Sequence, residues 1–349
     1  MNTLYAVPEP TPLAGDPDLT ALSNFAALRG QLRVSFGPKC SIACWFCHNE
    51  GDVPPGDARK DPNAHQRERA LGADEYLAMI VSLMDAGLNR VYFTGGEPLI
   101  SPLSRPVLTG LRSHTRPDRT FSLITNGLHV RHNLPWLAES VIDKVKVSLH
   151  YFSDETFQEI AYTRLPVSRV LDGIEAARDN FEQVELNCLI QAANQHEVPA
   201  MLEYALTRRL PVQFIELVGT DFNASGQGNA VAADDLLSAL RGMTSDERVE
   251  VAGVGQGRRV FTIDGIEIEV IHRSLGRHHV GQCGTCPQRQ ACTEGFWALR
   301  LDHAAGLMPC LLREDLRLDL RPVLGQPNTS SMVAAAVAQH IADFTEGTL

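Results

Sequence analysis

Long apolar runs are missing from this chain. The longest, near Leu77-Ala78-Met79-Ile80-Val81, is short and interrupted, so no membrane span is expected. The first residues lack a basic segment followed by an apolar one, and no signal peptide is read. Positive charge is also scarce: 31 Lys and Arg against 42 Asp and Glu give a formal net charge of -11. That balance disfavours a sequence-independent nucleic-acid binder, which needs basic patches against phosphate. At 349 residues the chain can bury a large core, as one big domain with an appendage or as two domains.

Cysteine is present in a pattern. Seven of the eight cysteines fall into two clusters with metal-ligand spacing, which points to a reducing cytoplasm rather than to disulfides. The odd one, Cys188, sits in an apolar-alternating run and reads as a buried core thiol. Cys40, Cys44 and Cys47 form C-x3-C-x2-C directly after Leu32-Arg33-Val34-Ser35-Phe36. Three thiolates so close can ligate only three corners of an iron-sulfur cube, leaving one iron open to a small molecule. A zinc site and chance clustering of buried thiols are the alternatives, although structural zinc usually takes two CxxC-like pairs. Further on, Arg90-Val91-Tyr92-Phe93-Thr94 reads as a buried strand that breaks into Gly95-Gly96-Glu97-Pro98, where paired glycines let backbone approach a ligand closely.

Up to about Leu28 the chain holds several prolines and little periodicity, and reads as an irregular N-terminal arm over 1–30. Short apolar runs then alternate with longer amphipathic ones, the signature of strand-helix units. Strands are expected at 32–36, 91–94, 120–125, 144–149, 184–190 and 212–217, and helices at 73–86, 103–113, 154–161, 168–180 and 197–208. The fold class is α/β: an incomplete (β/α)6 parallel TIM-like barrel over 31–220, whose reacting groups would sit at the C-terminal strand ends. The Pro-, Asp- and Arg-rich segment 51–71 reads as a mobile cover. After Leu217 come a Gly/Asn-rich linker at 219–228, a helix at 232–243, a hairpin at 259–272 turning at Asp264-Gly265, and a helical tail at 331–344.

The triplet together with Gly-Gly-Glu-Pro resembles the radical S-adenosylmethionine (SAM) superfamily. The resemblance implies a 4Fe-4S cluster on Cys40, Cys44 and Cys47, with SAM capping the open iron. It implies further that Phe46 packs on adenine, and that Gly95, Gly96, Glu97, Pro98, Asn126 and Ser148 cradle the methionine end and ribose. Phe46 could instead pack on the barrel rim, and Glu97 could cap a following turn. The second cysteine set, Cys283, Cys286, Cys292 and Cys310, fits a zinc knuckle; in this company a second, auxiliary 4Fe-4S cluster is favoured, in a C-terminal twitch-like domain over 221–349. With four thiols that cluster would be closed.

From Gln31 to about Leu312 the chain is similar to the GTP 3',8-cyclase family of molybdenum-cofactor biosynthesis. Leu32-Arg33-Val34-Ser35, Thr94-Gly95-Gly96-Glu97-Pro98-Leu99, Thr125-Asn126-Gly127, Val147-Ser148-Leu149, Phe214-Ile215-Glu216-Leu217, Leu299-Arg300-Leu301 and Cys310-Leu311 carry the likeness. Departures accompany it. Arg33 and Arg300 are kept, but Ser101, Gln213 and Ala298 stand where that family typically has arginine, whose guanidinium suits phosphate. The family's auxiliary site uses three cysteines, and its terminal Gly-Gly tail is absent here.

The expectation is a cyclase-like enzyme for another small molecule, phosphorylated or nucleoside-like, that abstracts hydrogen and then forms a carbon-carbon bond or rearranges a skeleton. Arg33, Arg300, His48 and His150 are the candidate substrate contacts, and an external one-electron reductant such as flavodoxin or ferredoxin is implied. The alternatives are GTP cyclisation itself, a sugar-type alcohol dehydrogenase, and a non-catalytic iron-sulfur electron carrier. A peptide maturase is disfavoured for want of a leader-binding domain before the barrel.

Overall fold

Six short strands alternate with helices between residues 31 and 217, and each sets apolar, largely β-branched or aromatic, side chains at alternate positions. The computed structural model describes residues 5–6, 17–47, 69–217, 228–250, 257–272, 274–275, 277–290, 292 and 294–348. His48, the 51–68 part of the expected cover and 219–227 of the expected linker lie outside them.

After β1 (Tyr5–Ala6) come β2 (Gln31–Ser35), β3 (Arg90–Thr94), β4 (Thr120–Thr125), β5 (Lys144–Ser148), β6 (Gln183–Ile190) and β7 (Val212–Glu216). The C-terminal part adds β8 (Glu247–Glu250), β9 (Arg258–Ile263), β10 (Ile266–Ile271), β11 (Ala298–Leu301), β12 (Gly306–Met308) and β13 (Leu318–Asp319). All join one open sheet in the order β1-β13-β12-β11-β2-β3-β4-β5-β6-β7-β10-β9-β8. Strands β2 to β7 are parallel neighbours, and the parallel run gains β11 beside β2 and β10 beside β7. This is a partial TIM-like barrel whose sheet continues into the C-terminal segment.

The helices are α1 (Thr20–Ala27), α2 (Ala73–Asp85), α3 (Ser104–Gly110), α4 (Val130–Leu137), α5 (Asp154–Ala161), α6 (Ser168–Arg178), α7 (Val198–Arg208), α8 (Asp234–Met243) and α9 (Thr329–Glu346). Two depart from the expectations. The supposed irregular arm contains α1, because its last residues are free of proline and set Leu22 and Phe25 on one face. Phe25 packs on Phe296, which packs on Phe344 of α9, both at 4.8 Å between ring centroids. Helix α4 was not expected at all; Pro135 interrupts its pattern, while Val130 and Leu137 are buried. The hairpin does turn at Asp264-Gly265, with φ of 50° and 77°, as a two-residue turn with both central residues left-handed requires.

Strand alternation divides the sheet into two unlike faces. Leu32, Val34, Val91, Phe93, Phe121, Leu123, Val145, Val147, Val184, Leu186, Val212 and Phe214 are buried in the core. The alternate positions form the inner face: Arg33, Tyr92, Ser122, Lys144, Lys146, Glu185, Asn187 and Gln213, joined across strands by register. Along β5, β6 and β7 they keep partial exposure while their neighbours are buried. A filled parallel barrel is apolar inside; this one is polar.

Candidate active site

The first three cysteines lie on the loop that leaves β2 at its C-terminal end. Gly96 N donates to Gly37 O at 2.8 Å and Glu97 N to Lys39 O at 2.9 Å, so the Gly-Gly-Glu-Pro turn is sewn to the stretch leading into Cys40. A Cβ on Gly96 would stand 2.3 Å from Lys39 O, and one on Gly95 (φ +129°) 2.8 Å from Gly37 O. Both glycines are demanded by this close approach. On its other side the loop donates from Ala43 N and Trp45 N to Ala161 O and Ile160 O, at 3.0 and 3.1 Å. Those are last-turn carbonyls of α5, which the helix itself leaves unsatisfied.

Glu97 is 2 % exposed. Its carboxylate accepts from Leu99 N (3.0 Å), Thr125 Oγ1 (2.8 Å) and Asn126 N (2.8 Å), capping the 3₁₀ turn Pro98–Ile100 and tying the end of β3 to that of β4. Burial pushes Glu97 up to about 7 against these hydrogen bonds. Asn126 Nδ2 donates to Ser41 Oγ at 3.3 Å and lies 3.6 Å from Cys40 Sγ. Burial, reinforced by Glu97 and Cys47, lifts the Cys40 thiol to about 11.

Phe46 meets the His150 ring edge-on at 5.1 Å. His150 Nδ1 accepts from Leu189 N at 3.0 Å, which leaves the neutral ring's proton on Nε2; burial pulls this imidazole down to about 4. Ser148 stands on the inner face beside Asn187. Arg33 and Arg300 are register partners on β2 and β11. Trp297 lies under both guanidinium groups, at 5.4 and 5.0 Å, and Tyr92 under Arg33 at 5.8 Å. Arg300 also pairs with Glu294 at 3.1 Å.

The second cysteine set is built of consecutive turns: Cys283 N bonds Val280 O, Arg289 N bonds Cys286 O and Cys292 N bonds Arg289 O. Cys310 follows β12, whose antiparallel pairing returns the chain to the N-terminal end of β11. Burial raises Cys283, with Cys292 and Cys286 adding to it, and raises Cys310 to about 11, with Glu294 and Cys292 adding. Because β11 runs parallel to β2, this set and the Cys40 loop lie at opposite ends of the strand pair, separated by roughly 15 Å of strand. No three His, Cys, Asp or Glu side chains among the described residues are grouped to hold a single metal ion. A cube makes a different demand, because each thiolate binds its own iron; all eight cysteines are free thiols, the donor such a cluster takes.

One feature escaped sequence reasoning. His272, at the end of β10, faces Glu216 Oε1 and Asp234 Oδ1, both at 3.5 Å. The Phe214-Ile215-Glu216-Leu217 stretch was visible, but pairing it with a histidine needed the parallel β7–β10 contact. A cavity of about 300 Å³ opens at the N-terminal ends of β6 and β7, beside Glu185 and Arg209, away from the Cys40 loop.

The radical SAM superfamily model matches residues 34–205. A Pseudomonas aeruginosa protein named GTP 3',8-cyclase 2 is 30% identical over 293 residues, 82% of each chain. A probable GTP 3',8-cyclase of Methanothermobacter thermautotrophicus is 27% identical, covering 86% of this chain and 90% of its own. Among solved structures, anSMEcpe with bound AdoMet superposes with a TM-score of 0.54 at 16% identity, covering 90% of this chain and 82% of that one. Streptococcus suis SuiB bound to its precursor peptide SuiA gives 0.55 at 11%, covering 81% and 60%; at such identities these two share the fold alone. The chain belongs to the radical SAM superfamily, which implies a 4Fe-4S cluster and SAM. Within it, this is a radical SAM enzyme similar to the GTP 3',8-cyclases.

Proposed function

We propose that this enzyme abstracts hydrogen from a small nucleotide, nucleoside or sugar-like substrate held on the inner face, and then joins carbon to carbon or rearranges the skeleton. The observation that carries the reading is the placement of a polar, partly exposed inner face between the Cys40 loop and the second cysteine set. When bound, the cluster and SAM supply one-electron cleavage that yields a 5'-deoxyadenosyl radical. The protein's part is holding and orienting. Cys40, Cys44 and Cys47 would bind three irons, and the Gly95-Gly96 turn would leave room for the methionine end. Phe46 would cover the adenine, and His150 would offer a fixed N–H at neutral pH. Glu97 acts indirectly, by locking the two turns together. Cys283, Cys286, Cys292 and Cys310 would bind an auxiliary 4Fe-4S cluster at the far end, and a ferredoxin- or flavodoxin-like donor would supply the electron.

The name of the 30% identical relative favours a second reading, GTP cyclisation. Against it, Ser101 Oγ is engaged with Leu103 N at 3.3 Å, Gln213 with Glu269 at 2.6 Å, and Ala298 is an aliphatic buried residue. Anaerobic incubation of the reconstituted protein with SAM, dithionite and GTP tests both readings. 5'-Deoxyadenosine without a cyclised GTP product is expected. A cyclised product favours the second reading, and no 5'-deoxyadenosine under any condition overturns both.

A further inference from the structure

Four cations of the inner face, Lys144, Lys146, Arg258 and Arg300, are paired with carboxylates within the protein. Glu185 lies between two lysines: Lys144 Nζ bonds its Oε1, and Lys146 Nζ its Oε2 at 2.9 Å. Two strands away on β10, in line with Asn187 and Gln213, Glu269 accepts from Gln213 Nε2 at 2.6 Å and faces Arg258 at 3.5 Å, while Glu250 holds Arg258 at 2.8 Å. Arg300 is held by Glu294. Burial raises Glu185, but Lys146 and Lys144 outweigh it and keep the carboxyl below its ordinary range, so it is charged at neutral pH. Tyr92 OH accepts from Arg90 at 3.4 Å, and Tyr92, Ser122 and Lys144 are in register across β3, β4 and β5, so Arg90, Lys144 and Lys146 line one chamber of the inner face. A site made for a chain of phosphates needs convergent cations with donors to spare. Here a polyanion would have to approach two carboxylates.

What the chamber offers is hydrogen bonding. Asn187 Oδ1 is enclosed and has no hydrogen-bond partner among the described residues. Its residue stands two positions beyond Glu185 on β6, about 7 Å nearer the Cys40 loop, on the same face. An enclosed amide oxygen without a partner is costly unless a ligand hydroxyl or N–H completes it.

Resting on the reading above, we propose that Glu185, clamped between Lys144 and Lys146, makes the chamber select a nucleoside or sugar carrying at most one phosphate or carboxylate, with Asn187 accepting from a substrate hydroxyl or N–H. Glu185 is a specificity determinant that turns polyphosphates away.

The test is equilibrium binding to the reconstituted, anaerobic protein, with guanosine, GMP, GTP and inorganic tripolyphosphate as probes. The wild type should bind GTP no more tightly than GMP, and tripolyphosphate not measurably. Glu185→Gln frees two lysines and should tighten GTP or tripolyphosphate about tenfold or more, the worth of one charge-assisted contact regained. Adding Lys146→Gln should remove most of that gain. If Glu185→Gln does not fold, Glu269→Gln poses the same question beside Gln213 and Arg258. A wild type that binds GTP a hundredfold more tightly than GMP overturns the proposal, and so does a folded Glu185→Gln variant with no gain. Uncoupled formation of 5'-deoxyadenosine from SAM is read separately. Its absence sinks the enzymatic reading and leaves the binding ratios to decide the selectivity.

Discussion

Replacing Gly96 by alanine should release the Cys40 loop while leaving the rest of the fold standing. The added Cβ would lie 2.3 Å from Lys39 O, 2.5 Å from Lys39 C and 2.5 Å from Pro38 O, where ordinary contact begins at 3.4 Å. These are backbone atoms, so relief requires the loop to retreat by about 1 Å rather than a side chain to rotate. A retreat of that size breaks the Gly96–Gly37 and Glu97–Lys39 hydrogen bonds of 2.8 and 2.9 Å. Two such bonds contribute about 1–3 kcal/mol net, and the overpacking costs about 1–3 kcal/mol more. At about 1.4 kcal/mol per factor of ten, the ordered loop should lose roughly thirtyfold or more in relative population. Iron content, visible iron-sulfur absorption and 5'-deoxyadenosine formation after identical anaerobic reconstitution are the readouts. Gly242→Ala is the control, because nothing lies within 4 Å of its Cβ in α8; it should add up to about 1 kcal/mol of stability and keep full iron. A Gly96→Ala protein with wild-type iron and wild-type SAM cleavage would refute the reasoning.

Changing Cys40, Cys44 and Cys47 together to alanine should abolish SAM cleavage while the second set still takes up iron, roughly half the total, as measured by iron and sulfide analysis. Glu97→Gln replaces one of the two carboxyl oxygens that receive three hydrogen bonds, each able to accept even when the group is protonated, with an NH2 that cannot accept, and should lower stability by about 1–3 kcal/mol in denaturant titrations near pH 5. Because the folded Glu97 carboxyl is raised from 4.5 to about 7, its contribution is full below pH 4.5 and is lost as pH rises through 7. The glutamine variant should lack that slope, and an unchanged slope would discount the shift. Cys292→Ala should open one corner of the proposed auxiliary cluster and alter its magnetic resonance, since Cys292 sits close enough to add to the raised thiols of both Cys283 and Cys310. An unaltered signal would make Cys292 idle.

The parts legible in the sequence are those in which neighbours along the chain do the work. Cysteine spacing announced the loop, Gly95-Gly96 announced a close backbone approach, and Asp264-Gly265 announced a turn with two positive φ angles. Strand alternation was legible too: Lys144-x-Lys146-x-Ser148 and Glu185-x-Asn187 show one polar face apiece. What alternation does not specify is which strand lies beside which. The Lys144–Glu185–Lys146 clamp needs the β5–β6 pairing, and His272 against Glu216 needs β7–β10. Pro135 concealed α4, and the prolines before Thr20 concealed α1, because a local breaker outweighs a short apolar face when no partner surface is known.

The return of the chain as β11 is the step on which the site's geometry turns. Hydrophobicity accounts for its burial, since Ala298, Leu299 and Leu301 are enclosed, but several edges of the sheet could have accepted such a strand. Parallel pairing to β2 in the register Arg33↔Arg300 has two consequences. It sets two guanidinium groups over the one Trp297 ring, whose face attracts both cations. It also carries Glu294 to Arg300, so that the Arg300 charge is neutralised before any ligand arrives. With Lys144 and Lys146 sharing Glu185 across the chamber, cation density is held down on both sides by the same device, a carboxylate from an adjacent element. On the proposal above, a scaffold similar to the GTP 3',8-cyclases keeps its Cys40 loop while its inner face favours hydrogen bonding over charge capture.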